Sequence, residues 1–255
     1  MATILFDKII YGPVHSRRLG LSLGINLSPA DGKRCTFDCI YCECGLNAER
    51  KTHSAAPSRE DVSKALINSL EQGVKPDVIT FSGNGEPTMH PHFAEIIDDV
   101  ISIRNTRCKH AKIAVISNST MLHKPLIISA LCKVDDNLMK FDAGSDKLMR
   151  LIDSPLSNDF TVEQLITDLC RFDGRLTVQT MFLHGEHNGV SVDNTGDADV
   201  EQYIAALHRI RPYKVMLYTI NRETPVKTIY KTSAETLNAI AAKVSAAGFE
   251  VVVSG

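Results

Sequence analysis

The stretch SREDVSKALINSLEQ, residues 58–72, followed by DVITF, residues 77–81, predicts the fold class. In its first part, Val62, Leu66 and Leu70 recur at helical spacing behind Ser58, a favoured N-cap residue. Its second part is a short apolar run, as expected for a strand that is covered on both faces. A helix that leads into such a strand is half of a βαβ unit, which joins parallel strands.

The same alternation continues on both sides of this stretch. LSLGINL, residues 21–27, is the predicted first strand. Further strands are predicted at residues 112–116, 137–141, 175–182, 214–220 and 250–253. Helices are predicted at residues 92–103, 123–132, 145–152, 161–172, 198–210 and 233–247, with capping boxes at Thr161/Gln164 and Thr232/Glu235. Six strands before a C-terminal strand fit either a partial barrel or a doubly wound sheet. No G-x-G-x-x-G motif follows an early strand, which counts against a dinucleotide-binding site.

Composition excludes several classes of protein. The chain has 255 residues, 44% hydrophobic, and a net charge of −2 from 28 Lys+Arg against 30 Asp+Glu. This composition is too apolar for a disordered chain, and the charge provides no overall positive field for nucleic acid. No apolar run approaches the roughly 18 residues of a membrane span, and the N-terminus lacks the features of a signal peptide. We therefore expect a cytoplasmic protein with no membrane partner.

Four of the seven cysteines are crowded into KRCTFDCIYCECG, residues 33–45. Cys35, Cys39 and Cys42 form C-x3-C-x2-C, and three thiolates from one short loop can ligate three irons of a [4Fe–4S] cube. The fourth iron is then open for another ligand. Cys44 follows too closely to reach the same cube without a tight reversal. A structural zinc site built from all four cysteines is the alternative, and Cys108, Cys132 and Cys170 are predicted to be small buried hydrophobes.

Polar side chains follow the predicted strands where those strands end. Because the carboxyl ends of parallel strands meet at one edge, these side chains define a candidate cofactor site. Gln179 lies mid-strand, where burial favours an inward-facing role, and Lys140 shares a face with Asp142. The candidate residues are Gly83, Asn84, Gly85, Glu86, Ser117, Asn118, Asp142 and Gln179.

The cysteine motif with Tyr41 before its last cysteine, together with Ser-Gly-Asn-Gly-Glu-Pro at residues 82–87, resembles the radical S-adenosylmethionine (SAM) superfamily. The resemblance implies a partial (β/α)6 barrel, here a single domain over residues 1–255 with its core at about residues 20–225. It also implies a [4Fe–4S] cluster whose open iron chelates SAM, and reductive cleavage of SAM to a 5′-deoxyadenosyl radical. Glu86 would then hold the SAM amino group. Asn84 departs from the family's Gly-Gly-Glu-Pro turn.

Two further stretches resemble the wyosine-synthase-like group of that superfamily: GPVHSRRLGLSLGIN, residues 12–26, and LYTINR, residues 217–222. The group's second cluster is not expected, because no cysteine precedes Cys35. Members of that group modify a guanine-derived base in tRNA, so an RNA base is one candidate substrate class. Arg17, Arg18, Lys33 and Arg34, near the expected mouth of the barrel, are its candidate phosphate contacts.

Other functions remain open at this point. One is a glycyl-radical-enzyme activase or a peptide-modifying enzyme, and another is a non-catalytic iron–sulfur or zinc protein. An electron donor such as flavodoxin or ferredoxin is the expected partner of an enzyme. Residues 184–197, polar and rich in Gly and Asn, are predicted to form a long loop at the mouth of the barrel, a candidate lid or substrate loop.

Overall fold

The computed structural model of the chain describes residues 4–16 and 19–254, which contain one ten-stranded sheet and seven α-helices. The strands are β1 (Ile10–Ser16), β2 (Gly20–Ile25), β3 (Val78–Phe81), β4 (Lys112–Ser117), β5 (Asp136–Lys140), β6 (Thr177–His187), β7 (Val190–Asp193), β8 (Lys214–Thr219), β9 (Ile229–Lys231) and β10 (Val251–Ser254). The helices are α1 (Arg59–Glu71), α2 (Phe93–Arg107), α3 (Pro125–Leu131), α4 (Asp146–Ile152), α5 (Val162–Cys170), α6 (Asp197–Ile210) and α7 (Ala234–Ala246).

Seven parallel strands form the centre of the sheet, in the order β2-β3-β4-β5-β6-β8-β10. At least one helix lies in the chain between each strand and the next. The strand β1 extends one edge by antiparallel pairing with β2. Within the described ranges no pairing joins β1 to β10, so the sheet stays open. The predicted α/β fold with a partial barrel is therefore confirmed.

The strands are buried on both faces, which explains their apolar sequences. On β3, Phe81 packs edge-on against Phe93 of α2, with ring centroids 6.0 Å apart. Val78 of the same strand belongs to a separate buried cluster with Ala114, Leu138 and Met216 from the neighbouring strands. One layer of the core therefore lies between sheet and helices, and a smaller one lies inside the curved sheet.

Helix caps and membrane spans can be compared directly with the sequence. Ser58 accepts a hydrogen bond from the Asp61 amide at 3.1 Å, and Thr161 accepts one from the Gln164 amide at 3.1 Å, as predicted. The predicted Thr232/Glu235 box is wrong, because Ser233 caps α7 by accepting from the Thr236 amide.

None of the helices within the described ranges is long and apolar enough to cross a membrane.

Three further predictions need correction. A strand, β1, precedes the predicted first strand. Residues 184–197 do not form a long loop, because β6 continues to His187 and turns back into β7 as a hairpin. Cys170 is exposed and Cys132 is half-buried, so of the three isolated cysteines Cys108 alone is a buried hydrophobe. The antiparallel β6–β7 pairing therefore lies within the segment whose polar composition predicted a loop.

Candidate active site

The cysteine loop follows β2 and is anchored at several points. Within the loop, the Cys42 amide donates to the Cys39 carbonyl at 3.0 Å, which makes a turn between the two cysteines. The loop also bonds to the end of α4, since the Ile40 amide donates to the Ile152 carbonyl at 3.0 Å. Cys39 is buried, whereas Cys35 and Cys42 are half-buried, and all three are free thiols. The loop therefore has a defined shape that presents three thiols.

The protonation of these thiols depends on their surroundings. Burial raises the pKa of Cys35 to about 11 and raises the pKa of Cys39 well above its ordinary value. A hydrogen bond with Cys44 lowers the pKa of Cys42 to about 6, and the same bond raises the pKa of Cys44. The Cys44 thiol also donates to the Gly83 carbonyl at 3.3 Å. Cys44 therefore links Cys42 to the turn that follows β3.

The turn that contains Gly83 and Gly85 is joined directly to the cysteine loop. The Arg34 amide donates to the Asn84 carbonyl at 2.9 Å, and the Glu86 amide donates to the Arg34 carbonyl at 2.9 Å. At Gly85 the φ angle is +140°, and a Cβ there would overlap the Arg34 carbonyl. Only glycine permits this approach, so Gly85 is required for the contact between the turn and Arg34.

Glu86 lies at the centre of a buried hydrogen-bond network. Its carboxylate accepts from the Asn118 amide at 2.6 Å, from the Ser117 hydroxyl at 2.8 Å and from the Thr88 amide at 3.0 Å, as well as from the Thr88 hydroxyl. Burial raises the pKa of Glu86, against the lowering effect of these donors. The carboxylate therefore holds the ends of β3 and β4 together at the site.

Two asparagines of the predicted site have different surroundings. The Asn84 side chain, fully buried, donates to the Phe6 carbonyl at 2.8 Å and to the Pro29 carbonyl at 3.0 Å. The Asn118 side-chain amide lies beside the cysteine loop, 3.5 Å from the Cys35 sulfur and 2.9 Å from the Thr36 hydroxyl. Asn84 thus fastens the N-terminal segment, whereas Asn118 lies at a predicted cluster ligand.

A second buried network contacts the opposite side of the loop. The Tyr41 hydroxyl donates to Asp142, and the Lys140 ammonium contacts both of these side chains, lying 3.0 Å from Asp142 Oδ2. Asp153 lies 3.7 Å from the same ammonium and accepts from the Cys39 thiol at 3.4 Å. This network ties Tyr41 and Cys39 to the ends of β5 and α4.

Charge is concentrated in that network. Burial alone would lower the pKa of Lys140, yet the negative charges around it hold that pKa well above its ordinary value. Burial, reinforced by Asp142, raises the pKa of Asp153, and burial likewise raises the pKa of Tyr41. Asp153 was missed in the sequence because its position depends on how the cysteine loop packs on α4, for which no local pattern exists.

Gln179 and the predicted phosphate contacts complete the comparison. Gln179 is buried at the register position of Lys140 and donates to the Leu138 carbonyl at 3.2 Å. Lys33 is buried within the cysteine loop, so its prediction as a phosphate contact is wrong. Arg34 is exposed. Arg17 and Arg18, named with them, lie outside the described residues.

The donor set suits an iron–sulfur group. Soft thiolates are the usual ligands of such clusters, and three of them stem from one hydrogen-bonded loop faced by a buried ammonium. By contrast, residues 4–16 and 19–254 contain no group of three or more His, Cys, Asp or Glu side chains arranged to hold a single metal ion. The fit therefore rests on thiol chemistry, on the spacing of the three cysteines and on the compensating charge beside them.

Comparisons with known proteins agree with this geometry. A family model described as the radical SAM superfamily matches residues 31–195. A relative called UPF0026 protein, from Helicobacter pylori, is 30% identical over 224 residues, which cover 86% of this chain and 68% of that protein.

Solved structures share the fold at low sequence identity. A radical SAM methyltransferase from Sphaerobacter thermophilus gives a TM-score of 0.66 at 18% identity, covering 91% of this chain and 65% of that one. SuiB of Streptococcus suis, bound to S-adenosylmethionine, gives a TM-score of 0.66 at 11% identity, covering 91% and 50%. The chain thus spans between half and two thirds of these two solved chains.

Proposed function

The chain belongs to the radical SAM superfamily, and from that premise we propose that Cys35, Cys39 and Cys42 hold a [4Fe–4S] cluster beside a bound SAM. The observation that carries the proposal is the joining of the cysteine loop to the Gly83–Glu86 turn through Arg34. This joining brings the three thiols and the Gly83–Glu86 turn together at the carboxyl ends of the strands, where barrel enzymes have their active sites.

The cluster, when bound and reduced, supplies the electron that cleaves the SAM sulfonium to methionine and a 5′-deoxyadenosyl radical, which abstracts hydrogen from the substrate. The chain's own residues bind and orient the reactants. The three thiols would provide three ligands of the cluster, and one iron would then be left for the amino and carboxylate groups of SAM. The missing Cβ atoms of Gly83 and Gly85 make room for Asn26 and for the Arg34 carbonyl, so these glycines let the turn lie directly against the cysteine loop.

We assign the remaining SAM contacts to the polar groups at the strand ends. Ser117, Asn118 and Glu86 form one hydrogen-bonded group beside Cys35. Tyr41 and Asp142 form another beside Cys39. The Asn84 side chain is engaged by Phe6 and Pro29 and its amide by Asn26, so we assign its contact with SAM to the carbonyl, which can accept a second hydrogen bond beside that from Arg34. Gln179, buried at the register position of Lys140, is assigned to the same side of the SAM site as Asp142.

For the substrate we propose an RNA base, on the strength of the wyosine-synthase-like stretches at residues 12–26 and 217–222. A peptide or a glycyl-radical enzyme is the competing class. A tRNA gel shift that weakens with salt supports the first, and a radical on a partner's backbone after incubation supports the second. The electron comes from a reduced flavodoxin or ferredoxin, partners that fit the reducing cytoplasm in which we place the chain.

The proposal is tested by anaerobic reconstitution with iron and sulfide, followed by dithionite reduction and assay of 5′-deoxyadenosine. We expect wild type to bind iron and form this product, and Cys39→Ala to lose both. Cys170→Ala, which changes an exposed cysteine outside the loop, is the matched control and should behave as wild type. Iron binding without product formation would favour a non-catalytic iron–sulfur protein, and zinc in place of iron would contradict the assignment.

A further inference from the structure

The cysteine loop encloses a lysine ammonium. The Lys33 side chain is 1% exposed, and its Nζ donates to the Gly45 carbonyl at 2.9 Å and to Asp38 Oδ1 at 3.3 Å. These partners lie at residues 38 and 45, so the ammonium sits within the span of the loop that carries the three cysteines. Burying an ammonium is costly unless opposite charge compensates it, so the surroundings of Lys33 need to supply negative charge.

Asp38 supplies only part of that charge. Its carboxylate is 24% exposed, and the oxygen facing Lys33 also accepts from the Asn47 amide at 2.8 Å. Although burial lowers the pKa of Lys33, the negative charge of Cys42, Cys35 and Cys39 raises it above its ordinary value. Cluster binding requires the three cysteines as thiolates, and in that state they join Asp38 as the electrostatic partners of this ammonium.

Lys140, the second buried lysine near the loop, is placed differently. Two carboxylates face it, with Asp142 at 3.0 Å and Asp153 at 3.7 Å. Its positive charge is thus matched by two carboxylates of its own network, although it also acts on the Cys39 thiol. Lys33 has one partly exposed carboxylate, so its charge acts mainly on the sulfurs.

Resting on the proposed function, we infer that Lys33 is a positioning residue whose fixed positive charge raises the reduction potential of the cluster held by Cys35, Cys39 and Cys42. Reduction adds one negative charge to the cluster, and a nearby buried cation stabilises the reduced state more than the oxidised one. Net charge near a cluster and hydrogen bonds to its sulfurs are general determinants of its potential. Lys33 provides the first of these, a buried positive charge within the loop that carries the three cysteines.

The test is the midpoint potential of the reconstituted cluster, measured by an EPR-monitored redox titration without SAM or substrate. Lys33→Met removes the charge but retains most of the side-chain length, and its potential should shift to a more negative value. Lys33→Arg retains the charge and should stay close to wild type. The matched control is Lys133→Met, which removes a surface lysine paired with Asp98 and should leave the potential unchanged.

Each outcome decides the inference. A Lys33→Met protein with full iron content and the wild-type potential would overturn it. If Lys33→Met fails to hold iron, Asp38→Asn serves instead, because it can retain both acceptor bonds while removing the charge that offsets Lys33. Its potential should then rise, and an unchanged value would overturn the inference. Wild type that binds no iron on this loop would instead defeat the proposed function.

Discussion

At the scale of single residues, Gly85 shows how closely the turn after β3 approaches the cysteine loop. The Gly85→Ala substitution places a Cβ against the Arg34 carbonyl in a backbone conformation that disfavours side chains. We expect it to lower the free energy of unfolding by about 3 kcal/mol, as strain and overpacking combine. The measurement is urea unfolding of the protein without cluster.

Gly189→Ala is the matched control for Gly85→Ala. Gly189 also has a positive φ, +75°, but nothing lies within 4 Å of where its Cβ would be. Only the backbone strain remains at this position, at a cost of about 1 kcal/mol. Equal effects of the two substitutions would show that the contact between Gly85 and Arg34 does not matter.

Asp31, before the cysteine loop, gives a prediction for pH. A hydrogen bond from the Thr52 hydroxyl, followed by one from the His53 amide, lowers the pKa of Asp31 to about 2. Because the folded pKa lies below the unfolded one, its stabilisation is complete above pH 3.8 and is lost as the pH falls towards 2. An NMR titration of the Asp31 carboxyl carbon measures this, and an ordinary value of 3.8 would contradict it.

At the scale of secondary structure, most elements could be predicted because local patterns specify them. Helices capped by Ser58 and Thr161 and the apolar parallel strands depend on neighbouring residues in the chain, which sequence reading captures. The β6–β7 hairpin was missed although Asn188-Gly189, a favoured hairpin turn, carried its signal. Its polar composition was interpreted as a loop, and the alternation of residues around the turn was overlooked.

The start of α7 offers a test at the same scale. Ser233 is the cap, so Ser233→Ala should lower the free energy of unfolding by about 1 kcal/mol. The buried Thr232 hydroxyl has no hydrogen-bond partner among the described residues. Thr232→Val keeps the shape of that side chain and should be neutral or slightly stabilising. Chemical denaturation of both variants measures the difference, and a larger loss for Thr232→Val would restore the original Thr232 cap.

At the scale of the whole molecule, the site depends on contacts between distant parts of the chain. Tyr41, Lys140 and Asp142 meet from the cysteine loop and the end of β5, and Asp153 joins them from the end of α4. The sequence could nominate Lys140 and Asp142, since they share a face of one strand. It could not reveal Asp153 or the burial of Lys33, because these depend on how the loop packs.

The buried lysine of this network is also a stability determinant. Lys140→Met would leave Asp142 and Asp153 buried without their cation, and we expect a loss of about 3–5 kcal/mol in the free energy of unfolding. Lys133→Met removes a lysine from a largely exposed pair and should cost at most about 1 kcal/mol. Thermal or urea unfolding distinguishes the two. A Lys140→Met protein as stable as wild type would mean that the carboxylates do not need this ammonium.

The central claim is that three cysteines leave one iron of the cluster open to SAM. The most direct measurement is the EPR spectrum of the dithionite-reduced, reconstituted protein before and after SAM is added. We predict a [4Fe–4S] signal whose g values change on addition of SAM, because SAM becomes a ligand of the open iron. A cluster signal that SAM leaves unchanged would contradict the claim.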